Sequence, residues 1–510
     1  MSEYYLTLDA GTSGGKCAII DEKGEFRSII KTAWGYVPVE ELEPYGFMFH
    51  PDQFWQILLR LMVTAIGRAK ISPSDIVAIA ATSQRHGCVF LDGNGMELYA
   101  GPNRDARGLE VDIEDYFDPV QLYEITGHGP PFILPLARLL WFQDNEEEIF
   151  EQIKHLLTID GWVNFRLTGK YTIHDSAAAE TMLFDIRNRT WSETILEECD
   201  IPHEILPERF PIGAYIGDVT EDLVNRLGLK SKTPVMMAPA DTQVSLLGCG
   251  AYQKGDLGIV AGSTMPIQLI VDQAMVDGNQ QLWTGAFTNT LTPLWVIESN
   301  AGSAGDIHTW FIERILKPIN AANPYATFEQ LALSQPPGAR GVFADLGAQI
   351  FQAQRMLNIP KGGGFSFLPI AYSLDVPVDI ASLARALLEN LAFAVRANIV
   401  QITNLTNYTT ISTYLVGGLA KSKAFAQVLS NVINTNIKVP SKPEGALLGC
   451  AIAGMLGLDR FATLRDAIES LIMGNHTEYI PQEDQIKSYD SLYPQWLQFY
   501  QSSRPDNETT

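Results

Sequence analysis

An aspartate followed by glycine, hydroxyl and lysine residues, Asp9-Ala10-Gly11-Thr12-Ser13-Gly14-Gly15-Lys16, is the first stretch of the chain equipped for chemistry. Small residues let backbone N–H groups and hydroxyls close on an anion, which makes a nest for phosphate. Lys16 can add a point charge. The stretch is not a Walker A loop, which spaces its glycines by four residues and enters a helix. Here three residues separate Gly11 from Gly15, Cys17 follows the lysine, and a strand comes next. A plain hairpin turn explains the glycines about as well. Similar turns occur at Gly262-Ser263-Thr264 and at Gly417-Gly418-Leu419-Ala420-Lys421. Turns so distributed suit a nucleotide, with two loops for the phosphates and one for the nucleoside.

Asp241 closes an apolar run, Thr233 to Ala240, and precedes a helical pattern. Ligands of α/β sheets bind beyond the carboxyl ends of strands, where a carboxylate is a natural general base. Aspartate is equally a favoured helix N-cap. Thr82-Ser83-Gln84-Arg85-His86-Gly87 also follows an apolar strand, and Arg85 and His86 suit binding of polar hydroxyls. A lone Arg-His pair is more often structural. The same holds for the polar cluster Asn103-Arg104-Asp105-Ala106-Arg107.

These residues need elements to position them. Tyr4 to Asp9 and Cys17 to Ile20 read as two strands of a hairpin. Pro51 opens a helix whose face is Phe54, Ile57, Leu58, Leu61, Met62, Ala65 and Ile66. Ile76 to Ala81 and Cys88 to Asp92 read as strands, and helical patterns dominate from Leu134 to Thr168. A second cycle begins with strands over Asp256–Ala261 and Ile267–Val271. It echoes the start of the chain, LTLDAGTSGGKCAII beside LGIVAGSTMPIQLIV. A helix over Ile380–Leu405, a strand over Ser412–Val416 and helices over Lys423–Asn434 and Glu444–Leu456 follow. Strands alternating with helices predict an α/β fold. The repeat predicts two domains, residues 1–250 and 251–500.

The composition narrows the function. Of 510 residues, 46% are hydrophobic and 19% charged, so a packed core is expected rather than disorder. Lys+Arg 36 against Asp+Glu 59 leaves a formal charge of −23. So acidic a chain predicts no nucleic-acid partner and no anionic membrane surface. Cys17, Cys88, Cys199, Cys249 and Cys450 are scattered and never form a CxxC pair, which argues against a disulfide framework or cysteine zinc site. With no signal peptide in MSEYYLTLDAG, the expected compartment is the cytoplasm. A homodimer is left open.

Taken together, these motifs resemble the FGGY family of carbohydrate kinases, which includes glycerol kinase, xylulokinase, ribulokinases and autoinducer-2 kinase. LTLDAGTSGGK resembles the family's first phosphate loop, and APADTQVSLLGCG its catalytic-aspartate segment. VAGST resembles the second phosphate loop, and LVGGLAKSKAFAQVLSNV with EGALLGCAIAG the adenosine segment. The resemblance covers about Tyr4 to Leu458. It implies an α/β fold of two actin-like, ribonuclease H-like domains flanking a central catalytic cleft. It also implies ATP with Mg²⁺, and phosphorylation of a hydroxyl on a small, ketopentose-like sugar or polyol. Carried over by position, Asp241 is the base, and Asp9 with Asp241 holds the metal. Gly11, Thr12, Ser13, Lys16, Gly262, Ser263 and Thr264 serve the phosphates. Gly305, Thr309, Gly418, Leu419 and Lys421 line the nucleoside pocket. Arg85, His86, Asp105 and Thr242 face the substrate.

The match to any one branch is partial. Arg85-His86 and Asp241-Thr242 stand where glycerol kinases carry Arg-Glu and Asp-Gln, and where xylulokinases carry Met-His and Asp-Asn. The GER-containing segment of pentose kinases is not found around Phe367 to Asp375. Pro336 to Gln349, and the segment on to Ile370, resemble the autoinducer-2 kinase branch. The glycerol and autoinducer-2 branches are the near alternatives. An actin-like ATPase switch without a small-molecule acceptor is the alternative from another class.

Overall fold

The computed structural model describes residues 2–288, 292–319, 323–355, 363–368, 378–442 and 444–504. Within the segment Pro336 to Ile370, residues 356–362 and 369–370 lie outside this set, as does Phe367 to Asp375 from residue 369 onward. The chain forms two compact units. One comprises residues 1–254, 270–296 and 444–473, the other residues 255–269, 297–443 and 474–510.

The first unit is built on a six-stranded sheet. Its strands are β1 (Tyr4–Ala10), β2 (Gly14–Asp21), β3 (Phe26–Ala33), β4 (Ile76–Ser83), β5 (Tyr215–Asp218) and β6 (Pro234–Met236). They run in the order β5-β6-β4-β1-β2-β3. β1 pairs antiparallel with β2 and parallel with β4, with Asp9 beside Thr82 and Ala10 beside Ser83. That register brings the Gly11–Lys16 turn and the Gln84–His86 loop to one edge.

Alternation along β1 gives its two faces different work. Leu6, Leu8 and Ala10 enter a core with Ile19 and with Phe54, Leu58, Leu61 and Met62 of helix α1 (Pro51–Ala69). Tyr5, Thr7 and Asp9 alternate to the other face. Two helices belong to that side: α2 (Asp241–Cys249) and α3 (Gly445–Gly457). α3 is apolar nearly all round, as a fully buried helix must be. It packs on β1, β4 and α2, which is why this late segment belongs to the first unit.

The crossing of α2 and α3 depends on glycine. A Cβ on Gly449 would stand 2.1 Å from the Val244 carbonyl oxygen, and one on Gly248 1.9 Å from that of Gly445. Gly449→Ala is therefore expected to lower stability by about 1–3 kcal/mol, because helix backbones cannot yield as a side chain does. An unchanged denaturation midpoint would show that the crossing relaxes freely.

The second unit carries β7 (Asp256–Val260), β8 (Thr264–Val271), β9 (Leu294–Ser303), β10 (Ser412–Val416), β11 (Ile437–Pro440) and β12 (His476–Tyr479). Their order is β9-β8-β7-β10-β11-β12. β7 pairs antiparallel with β8 and parallel with β10, and β10 pairs parallel with β11. β1, β2, β4 and β6 repeat that pattern in the first unit. The weak echo between the two glycine turns thus sits on a repeated topology. All five cysteines are buried, and none is in a disulfide.

Two elements differ from expectation. The run Thr233 to Ala240 is a strand only over Pro234–Met236. Beyond it, Met237 bonds to the Ala214 carbonyl, and Pro239, which has no N–H, only accepts, from the Thr82 hydroxyl. Within the helical stretch Leu134 to Thr168, His155–Thr158 is a strand paired with Cys88–Leu91.

Candidate functional site

Each unit holds its own set of the expected residues. In the first, the Gly11 amide closes a turn on the Gly14 carbonyl at 3.1 Å. Neighbours brace this loop. Tyr36 Oη donates to the Thr12 carbonyl at 2.8 Å, Asn103 Nδ2 to Thr12 Oγ1 at 2.8 Å, and Gln84 Nε2 to Tyr36 Oη at 2.7 Å. Thr12 keeps its hydroxyl proton, and Ser13 is exposed. A rigid loop of this kind presents its donors without reorganisation.

Lys16 lies between two carboxylates. Its Nζ is 3.1 Å from Asp9 Oδ2 and 3.3 Å from Glu444 Oε2. The charge of Asp9, against burial, raises the Lys16 pKa. Glu444, immediately before α3, also pairs with Lys31. The lysine expected at the phosphates thus ties the loop to the start of α3 in this structure.

Asp241 is the first residue of α2, and Ala240 is the N-cap. The helix-cap explanation for this aspartate therefore does not hold, since no side chain caps the helix. Its Oδ1 accepts from the Thr242 amide at 2.7 Å, and its side chain keeps 29% of its surface exposed. Burial pushes its carboxyl up to about 7, Asp9 and Glu180 push the same way, and Arg85 opposes them. A carboxylate near 7 is matched to proton transfer at neutral pH.

Arg85 and His86 converge on Glu180, a residue the sequence did not single out. Glu180 is 1% exposed. Arg85 Nη1 donates to its Oε1 at 2.8 Å, and His86 Nε2 lies 2.8 Å from its Oε2. His128 Nε2 stands 3.5 Å from the same oxygen, and Arg85 Nε is 3.9 Å from Asp241 Oδ1. Burial opposes ionisation of Glu180, but Arg85 and the two histidines hold it well below the usual carboxylate range. An ionised carboxylate only accepts, so His86 Nε2 carries a proton. Burial keeps the His86 pKa below its ordinary value. The Trp283 ring packs against both histidines, with centroids 5.5 Å from His86 and 5.3 Å from His128.

Thr242 is 8% exposed, and its Oγ1 donates to Gln243 Oε1 at 2.8 Å. Asp105 is fully buried: it takes bonds from Tyr99, from Arg107 Nε at 2.8 Å and from the Phe47 amide at 3.2 Å. Those contacts make it a clamp on the Asn103–Arg107 segment. The only sign of Glu180 in the sequence is one acid within the apolar run Ala177 to Leu183. Its partners lie 94 and 95 residues earlier.

In the second unit three turns are stitched together. The Gly305 amide donates to the Gly262 carbonyl at 2.9 Å, Ala304 to Ser263 at 2.9 Å and Leu419 to Ala261 at 3.1 Å. Gly305 begins the helix Gly305–Phe311, which carries Thr309 one turn on. A Cβ on Gly305 would stand 2.4 Å from the Gly262 carbonyl oxygen, so only glycine allows this approach. Ser263, Thr264, Thr309, Gly418 and Lys421 are exposed, while Leu419 is buried beneath them.

Among the described residues no group of three metal-ligating side chains is close enough to hold an ion. Mg²⁺ does not need one, since it usually takes one or two carboxylates, substrate phosphates and water. Asp9 and Asp241, whose charges repel across the site, fit that donor set. No helix among the described residues is long and apolar enough to cross a membrane.

Comparison with known proteins gives a consistent picture. Residues 4–248 match the N-terminal domain of the FGGY family of carbohydrate kinases, and residues 270–458 match its C-terminal domain. The chain is 27% identical over 508 residues to the autoinducer-2 kinase of Enterobacter sp. (strain 638), covering 98% of this chain and 94% of that protein. Its fold resembles the gluconate kinase of Lactobacillus acidophilus, with TM-score 0.85, 20% identity and 98% of each chain covered. It also resembles the Plasmodium falciparum glycerol kinase solved with ADP, with TM-score 0.84, 21% identity and 99% of each chain covered.

Proposed function

The chain belongs to the FGGY family of carbohydrate kinases, with that family's actin-like, ribonuclease H-like fold and ATP-dependent transfer to a hydroxyl, and we propose that its acceptor is a small, ketopentose-like sugar or polyol held by Arg85 and His86. Asp241 is the general base. The observation that carries this reading is the linked set in which Glu180 pairs with Arg85 and His86 and Arg85 faces Asp241, with the Asp241 carboxyl raised to about 7.

A sugar hydroxyl is a weak nucleophile, so its proton must leave as the new phosphorus–oxygen bond forms. Asp241 accepts that proton, while Arg85 and His86 orient the hydroxyl-bearing chain. Thr12 and Ser13 offer donors to the phosphates from a braced loop that the Gly11 amide closes, and Ser263 and Thr264 do so from the second unit, in a turn that the Gly262 amide closes. Gly305, Thr309, Gly418, Leu419 and Lys421 receive the nucleoside. Lys16 sets the charge at Asp9. Asp105 and Thr242 support the acceptor loops. Asp9 and Asp241 would hold Mg²⁺, which offsets phosphate charge when bound. The two family domains, 1–250 and 251–500 in the simplest division, would divide this work between acceptor and adenosine.

The full-length likeness to autoinducer-2 kinases favours a second acceptor, autoinducer-2. One panel of ketopentoses, polyols, glycerol and autoinducer-2, read by ADP release, tests both. ATP hydrolysis indifferent to every acceptor would leave the ATPase-switch reading instead.

Arg85→Ala is expected to raise the acceptor KM about 10- to 100-fold and leave the ATP KM nearly unchanged, since a hydrogen bond to a charged group contributes about 1.5–3 kcal/mol. An unaltered acceptor KM would make Arg85 purely structural.

A further inference from the structure

Arg85 never presents a bare charge to the acceptor. Its Nη1 meets Glu180 at 2.8 Å, and its Nε faces Asp241 at 3.9 Å. Glu180 also takes His86 Nε2 at 2.8 Å. Arg85 and Glu180 are 9% and 1% exposed at their side chains, so water screens this pairing little. An incoming anion would have to displace Glu180 from the guanidinium while standing beside the Asp241 carboxylate. Hydroxyl groups face neither penalty, because a paired guanidinium still donates to a neutral oxygen.

We propose that Glu180 is a specificity-determining residue which, by pairing with Arg85 and His86, restricts the acceptor to uncharged polyhydroxy compounds and excludes aldonates. This rests on the kinase reading above and narrows it. The fold alone is compatible with either charge class, since the solved structures it resembles include one named a gluconate kinase and one named a glycerol kinase. Side chains at the acceptor decide between them. Glu180 acts on the acceptor through Arg85 and His86, and any effect of its charge on the Asp241 carboxyl falls on acid and neutral acceptors alike, so the acid-to-neutral ratio reads which acceptor is bound.

The test adds D-gluconate, D-xylonate and D-glycerate to the neutral panel and measures kcat and KM for each by ADP release. Wild-type protein is expected to favour its best neutral acceptor over every acid by at least about tenfold in kcat/KM. Glu180→Asp keeps the charge and should keep that preference. Glu180→Gln keeps the shape and should raise the acid-to-neutral ratio about tenfold or more, through the KM of the acid. A loss of folding alone would lower both activities without moving the ratio. If Glu180→Gln does not fold, the wild-type and Glu180→Asp ratios still decide. Wild-type preference for an acid, or an unmoved ratio in folded Glu180→Gln, overturns the proposal while leaving the kinase intact. No turnover of any acceptor, acid or neutral, overturns the kinase reading itself.

Discussion

Asp241→Asn is expected to lower kcat about 10²–10⁴-fold while the protein folds and binds MgATP as before. The substitution keeps the shape and an acceptor oxygen for the Thr242 amide, which donates to Asp241 Oδ1. The helix it begins is capped at Ala240 without any side-chain bond, so little local structure hangs on the carboxylate. A negative group in the first turn contributes about 0.3–1 kcal/mol through the helix dipole. Relief of burial, the largest influence on this group, works against that loss. What Asn lacks is basicity. Steady-state kinetics beside a thermal melt decide the matter: near wild-type kcat in a folded variant removes Asp241 as the base.

The second large effect is on pH. A group that must be ionised to accept a proton loses function as pH falls through its pKa. With Asp241 near 7, about half the free protein is competent at pH 7 and about 1% at pH 5, so kcat/KM should fall about 50-fold between them. Part of the upward shift comes from the charge of Asp9. A divalent cation shared by the two carboxylates would cancel that repulsion and favour the ionised form. Raising free Mg²⁺ at fixed MgATP should therefore move the acid limb to lower pH. A profile flat from pH 5 to 8 would deny the base, and a limb that rises with Mg²⁺ would deny the shared metal.

Much of this site is readable from local pattern, because local physics dictates it. The turn from Asp9 to Lys16 had to lie between strands, since small residues interrupt two short apolar runs. The strand Ser412–Val416 matches its expected bounds, being short, apolar and closed by two glycines. The face of α1 follows from helical spacing: its residues enter the core of the first unit except for the half-buried Ile57, and Trp55 and Leu59 join them there. Asp241 stood out as an acid at the end of an apolar run, although the strand before it is shorter than that run.

What local pattern could not supply are pairings between distant residues. Glu180 looks like one acid in an alanine-rich run until folding brings Arg85 and His86 to it across more than 90 residues. Lys16 reads as a phosphate ligand until Glu444, from the far end of the chain, arrives beside it. The α3 pattern announces burial on every side but not against which partner: Gly248 and Gly449 let it approach α2, and Gly454 meets Tyr5 of β1. Periodicity records how much of each residue is buried, because that depends on its neighbours in the chain. Charge partners depend on which surfaces finally meet, so the electrostatics of the acceptor site emerge only once the chain has folded.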